Sequence, residues 1–69
     1  MNKLLLKARN QTSEMRTFEV DGPKFVTIAR RIDLQPPQEH IVQTYNTAGE
    51  AVCKHFQLLA RHNLQPVWD

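Results

Sequence analysis

Three sets of side chains in this 69-residue chain carry groups that could do chemistry, and each makes a different demand on the fold. The largest set is basic. Lys3, Lys7, Arg9, Arg16, Lys24, Arg30 and Arg31 fall in the first half of the chain, with only Lys54 and Arg61 in the second. Such donors neutralise phosphates and release their counterions, which is what a nucleic-acid backbone requires of a partner. Nine Lys and Arg against seven Asp and Glu leave a formal charge of +2. That sum is too small to decide the matter, so placement has to. Glu14, Glu19, Asp33 and Glu39 dilute the set, which would serve equally as a solvated surface. No aromatic residues interleave with it in the manner of an RNA-stacking sheet.

The second set is Cys53 with His40, His55 and His62, whose donor types suit zinc. The spacing argues against a finger: one thiol stands where two are needed, and Cys53 reads more simply as a small buried or half-buried hydrophobe. The same thiol beside a histidine suggests an activated nucleophile, because imidazole draws off the proton. No third group orients the pair and nothing supplies an oxyanion site. The third set, the carboxylates, is scattered, and Gly22 and Gly49 alone make no phosphate-cradling loop. The residues therefore predict a protein that is not an enzyme and uses neither metal nor cofactor.

What must position the basic set is an internal echo. Phe25-x-x-Ile28-Ala29-Arg30-Arg31 followed by Leu34-Gln35-Pro36 returns as Phe56-x-x-Leu59-Ala60-Arg61-His62 followed by Leu64-Gln65-Pro66. The first positions are offset by 31 and the Leu-Gln-Pro ending by 30, with five identities beyond the aromatic anchor. This predicts two units, about 3–36 and 39–66, within a single domain spanning 1–69.

In the first unit, Lys3 to Arg9 and Arg16 to Val20 alternate apolar with polar residues, as half-buried strands do, around the turn Asn10-Gln11-Thr12-Ser13. Asp21 and Pro23 then suit the start of a helix carrying Phe25, Ile28, Ala29 and Ile32 on one face, although the β-branched content of Val26-Thr27-Ile28 suits a strand equally. In the second unit, Ile41 to Tyr45 reads as a strand, Ala51 to Lys54 as its return and Phe56 to Asn63 as a short helix. A competing reading makes one helix from Ala48 to His62, since Thr47-Ala48-Gly49-Glu50 is a formal capping box and Glu50 stands four residues before Lys54. The echo favours the hairpin.

The expected architecture is α+β: a duplicated β-β-α unit forming a four-stranded antiparallel sheet with two short helices on one face. Leu4, Leu6, Phe18 and Val20 are expected to face the helices, leaving Lys3, Lys7, Arg9, Thr17 and Leu5 in water. Arg30 and Arg31 on the first helix and Arg61 on the second then straddle a duplex backbone, assisted by Lys3, Lys7 and Arg9. A rival surface is apolar. Leu58 falls on the outward side of the short second helix, and Trp68 follows Pro66, so the two form a candidate protein interface.

A domain of this size hides only about 60% of its extended surface on folding. With Cys53 alone, no internal disulfide compensates, so a second copy of the chain is a candidate partner. The opening Met1-Asn2-Lys3-Leu4-Leu5-Leu6 mimics a signal peptide, but Lys7 and Arg9 interrupt the apolar run, and the expectation is a cytoplasmic protein without membrane contact. The chain length, the Met1-Asn2-Lys3-Leu4-Leu5-Leu6-Lys7 opening and the stretch from Phe18 to Leu34 resemble the short proteins encoded in early regions of enterobacterial prophages. The resemblance implies binding rather than catalysis, with host DNA or a host protein as partner, and carries over no individual residue. The sequence thus predicts a nucleic-acid-binding, host-modulating protein that contacts duplex DNA mainly through phosphate; the alternative is a modulator of a host protein.

Overall fold

The computed structural model describes residues 3–21 and 24–67. Five strands and one helix follow in the order β1 (Lys3–Arg9), β2 (Ser13–Val20), β3 (Lys24–Arg31), β4 (Gln38–Tyr45), α1 (Ala48–His62) and β5 (Gln65–Pro66). The first four strands form an antiparallel meander, and the helix carries the chain back so that β5 lies outside β1, giving the spatial order β4-β3-β2-β1-β5. The α+β class holds, but the duplicated β-β-α unit does not: there are five strands and one helix, not four strands and two helices. Phe25 lies in a strand and Phe56 in the helix.

Local chemistry explains the difference. Val26, Thr27 and Ile28 are β-branched in succession, which favours an extended backbone, and the strand turns Phe25 and Thr27 to one side and Val26 and Ile28 to the other. In the second copy the corresponding places hold Gln57 and Leu58, both good helix formers. The capping box decides where that helix begins. Thr47 Oγ1 accepts a hydrogen bond from the Glu50 backbone N–H at 3.2 Å, so the residues expected to return as a strand, Ala51 to Lys54, belong to α1 instead. Asn63 ends the helix in the left-handed region at φ 58°, a conformation asparagine tolerates. The N–H groups of Asn63 and Leu64 both return to the Leu59 carbonyl.

The β1–β2 hairpin matches expectation, closed by Asn10, whose side-chain oxygen accepts from the backbone N–H groups of Thr12 and Ser13 at 2.9 and 2.8 Å. The longer β3–β4 connection contains a cis Gln35–Pro36 bond.

Helix α1 lies against one side of the sheet and buries Ala51, His55 and Leu59, a stripe with one residue per turn. Two apolar clusters form beneath it. Leu59 joins Ala8, Met15 and Leu64, with Leu58 partly buried against them; Ala51 joins Phe25 and Tyr45, with Leu5 against them. Between the clusters stands a buried polar chain: Thr27 Oγ1 lies 2.8 Å from Thr17 Oγ1, which lies 2.8 Å from His55 Nδ1. Thr17 was expected to face water and Phe18 and Val20 to face the helix; β2 is turned the other way, because Thr17 pairs with Thr27 and reaches His55. Bulges at Leu5 in β1 and Val42 in β4 shift the register of the strands flanking β2 and β3. Leu5 thereby packs under the helix rather than in water.

Removing the Thr47 cap in Thr47→Ala should cost about 1 kcal/mol of stability, read as a lower urea midpoint with an unchanged slope. For His55, burial pushes the imidazole below its ordinary value. The unfolded chain therefore takes up a proton at a pH where the folded one does not, so the contribution is complete above about pH 6.5 and is lost as pH falls below that value. Thermal midpoints measured from pH 7.5 downwards should decline on the acid side, and His55→Gln should flatten that decline; equal slopes for the two proteins would refute the assignment.

Candidate nucleic-acid interface

No described element packs on the other side of the sheet, and alternation along the strands determines what it displays. Cross-strand register aligns three rows there. The first is Leu4, Phe18, Val26 and Thr44; the second is Lys7, Arg16, Ile28 and Ile41; the third is Arg9, Glu14, Arg30 and Glu39. Lys24, opposite Val20, extends the same side at one end. Five of the nine basic residues and two of the seven acidic ones thus share this open side. Among the other described residues four basic ones, Lys3, Arg31, Lys54 and Arg61, are balanced by four acidic ones, Glu19, Asp21, Asp33 and Glu50.

Glu14 sits at the centre of the charges and is only 8% exposed. Its Oε1 lies 2.6 Å from Arg16 Nε and its Oε2 lies 3.9 Å from Lys7 Nζ. The closer contact makes no directed hydrogen bond: among the described residues, neither Glu14 Oε1 nor Arg16 Nε has an aligned partner. One carboxylate therefore holds two cations, Lys7 and Arg16, beside it. Beside it lies a depression of about 190 Å³ lined by Glu14, Arg16, Phe18, Ile28, Arg30 and Glu39.

The residues expected to bind nucleic acid separate into two groups. Lys7, Arg9 and Arg30 are brought together on the open side. Arg31, one residue further along β3, turns the other way and is held by Asp33 through a two-point bond of 2.9 and 2.7 Å. Arg31 hydrogen bonding is the main reason the Asp33 carboxyl lies below its ordinary value. Lys3 stands opposite Glu19, whose position alternates with the open-side residues. Arg61 is exposed in the last turn of the helix, across the molecule from Arg30. The matched arginine pair proposed to straddle a duplex therefore does not exist, because its two members lie on different elements on opposite sides of the sheet.

The sequence reading missed Arg16 and Phe18 as members of this surface. Their signal was the alternation Glu14, Arg16, Phe18 and Val20, but Met15, Thr17 and Glu19 alternate just as well, and only the distant His55 selects between them. The absence of an interleaved aromatic was also an error, since Phe18 stands one row from Arg16 and Lys7.

The apolar candidates fare differently. Leu58 is partly buried against Ala8, Met15, Leu59 and Leu64 rather than presented outward, and Trp68 lies outside the described residues. A free apolar edge exists elsewhere. Among the described residues β5 pairs with β1 only at Ala8 and Arg9, with a further bond from Val67 N–H to the Lys7 carbonyl. A groove of about 260 Å³ runs along the rest of β1, lined by Leu4, Leu5, Leu6, Phe56 and Val67 among others.

Cys53 is exposed, contrary to its reading as a buried or half-buried residue. Among the described residues no cluster of three His, Cys, Asp or Glu side chains is placed to hold a metal ion, and no helix is long and apolar enough to cross a membrane. No protein-family model, curated protein or solved structure matches this chain.

Proposed function

We propose that this protein binds nucleic acid through the open side of its sheet. The observation that carries the reading is the segregation of charge: Lys7, Arg9, Arg16 and Arg30 occupy two adjacent cross-strand rows, while basic and acidic residues balance over the rest of the described residues. Fixed strands hold these cations at set spacings, so little ordering is required when a polyanion arrives. Contacts of this kind go to phosphate and carry little sequence preference. A small binding module suits the host-directed role that the prophage resemblance implies.

The test is a titration of labelled nucleic acid across salt, from about 50 to 200 mM. Affinity should fall steeply, and Lys7→Ala, Arg9→Ala and Arg30→Ala should each weaken binding and reduce the salt slope by about 1. Arg31→Ala and Arg61→Ala, lying off the surface, should leave both unchanged. Glu14→Gln should act in the opposite direction. Removing one negative charge among the cations is worth about 1 kcal/mol at a few ångströms in water, a gain in affinity of roughly fivefold. No retention of any nucleic acid at low salt would eliminate the proposal.

A second reading rests on the edge of β1. Residues 3–6 lack a neighbour on their outer side among the described residues, and Leu4 and Phe56 beside them are 41% and 43% exposed. That edge would add a strand from a host protein, or from a second copy of this chain, with main-chain bonds providing affinity. Such a complex would survive high salt and fail with Phe56→Ser, an outcome opposite to that expected of phosphate binding.

A further inference from the structure

Building on the nucleic-acid reading, we infer that the open side takes single-stranded rather than duplex nucleic acid, with Phe18 as the platform on which a base stacks. The first argument is width. Four strands about 4.8 Å apart span about 14 Å before side chains are counted. The major groove is about 12 Å wide and the minor groove about 6 Å, so a groove that admits a two-stranded ribbon excludes this sheet. Against a duplex the surface would meet only one flank of phosphates. Its apolar row, Leu4, Phe18 and Val26, would then face the sugar-phosphate backbone with nothing to stack on it.

The second argument is the composition of the rows. A single strand presents phosphates along one side and unstacked bases along the other, and it is held by a cationic track next to an aromatic ring. Here the row Lys7, Arg16, Ile28 and Ile41 runs directly beside the row Leu4, Phe18, Val26 and Thr44. Phe18 is half-buried, anchored among its neighbours and still reachable from solvent, and it lines the same depression as Arg16 and Arg30. Val26, its cross-strand neighbour, is only 7% exposed, so the ring stands on a packed base rather than a loose surface. Arg16 is half-buried, with its Nε held 2.6 Å from Glu14 Oε1, so its guanidinium is fixed beside the ring. Every base has an aromatic face, so the platform accepts sequence broadly. Single-stranded DNA and RNA should both bind.

The deciding experiment is fluorescence anisotropy with a labelled single-stranded DNA, the matching RNA and the DNA duplex, using the full chain. Single strands should bind more tightly than the duplex. Phe18→Leu keeps an apolar cover over Val26 but removes the aromatic face, and should weaken single-strand binding by about 5- to 150-fold while leaving duplex binding unchanged. Phe18→Tyr should restore it. If duplex binds as well as single strand, or if folded Phe18→Leu binds single strands undiminished, the stacking inference is wrong while salt-dependent binding through Lys7, Arg9 and Arg30 still stands. Failure of the wild-type chain to bind any nucleic acid defeats both. Should Phe18→Leu not fold, ultraviolet cross-linking of a halogenated-uracil single strand to the wild-type chain provides the same decision: an adduct at Phe18 supports the inference, and adducts at other residues alone overturn it.

Discussion

The rest of the structure depends on a hydrogen-bonded chain of three side chains, from Thr27 through Thr17 to His55, buried where helix and sheet meet. The two apolar clusters on either side of it are small, with four and three buried members. A sheet face carrying two threonines at its centre would be a poor surface to bury, since each hydroxyl that loses water without a partner costs about 1 to 3 kcal/mol. One histidine on the helix answers both. With its proton on Nε2 the ring accepts from Thr17 through Nδ1, and Thr17 accepts from Thr27, so every hydroxyl hydrogen in the chain has an acceptor. Running the chain in reverse would leave the Thr27 hydrogen without one. Satisfaction of the threonines thus fixes the neutral ring and its tautomer together, the same preference that burial imposes on the imidazole.

That fixed chain has a consequence on the far side of the sheet. Side chains alternate, so placing Thr17 and Thr27 beneath the helix necessarily sends Arg16, Phe18, Val26 and Ile28 to the open side. A register slip of one residue would bury Arg16 and Phe18 under the helix and break the link to His55. The bulges at Leu5 and Val42 let the flanking strands β1 and β4 depart from strict alternation without disturbing the two central strands, and Leu5 gains its place in the core that way. The arrangement of the candidate site is therefore a by-product of core polarity: the geometry of one hydrogen-bonded chain sets which cations share a surface.

How much of this was legible in the sequence follows from which interactions are local. The β1–β2 hairpin was, because its alternation and the turn at Asn10 are written in one contiguous stretch, Lys3 to Val20. The helix was half-legible, since Thr47 and Glu50 announced it while the echo of Phe25 in Phe56 argued against it. That echo misled because the shared positions pull in opposite directions, the aromatic toward a strand and Ala and Arg toward a helix, whereas the unshared ones decide. Val26 and Thr27 favour the strand, and Gln57 and Leu58 the helix. The facing of β2 was not legible at all. Both of its alternating sets mix apolar with charged residues, and the choice between them comes from a contact 38 positions away in the chain. Arg30 and Arg31 show the cost of that gap: as neighbours in a helix they would share a broad face, but in a strand they lie on opposite sides, and one of them is claimed by Asp33.

The open side is also protected from its most obvious competitor, a second copy of itself. Sheets of this width commonly bury an apolar face by stacking on another sheet about 10 Å away, and Leu4, Phe18, Val26 and Ile28 would favour such stacking. Bringing two identical faces together, however, brings Lys7, Arg9, Arg16 and Arg30 against the same set, with Glu14 and Glu39 too few to neutralise them. Desolvating unpaired cations costs more than burying a few half-covered aliphatic side chains returns. A polyanion has neither difficulty, because it brings the compensating charge with it and leaves the arginines hydrated at their margins. On the proposed reading, the cations that would draw in phosphate also keep Phe18 accessible, and the two features would serve one kind of ligand.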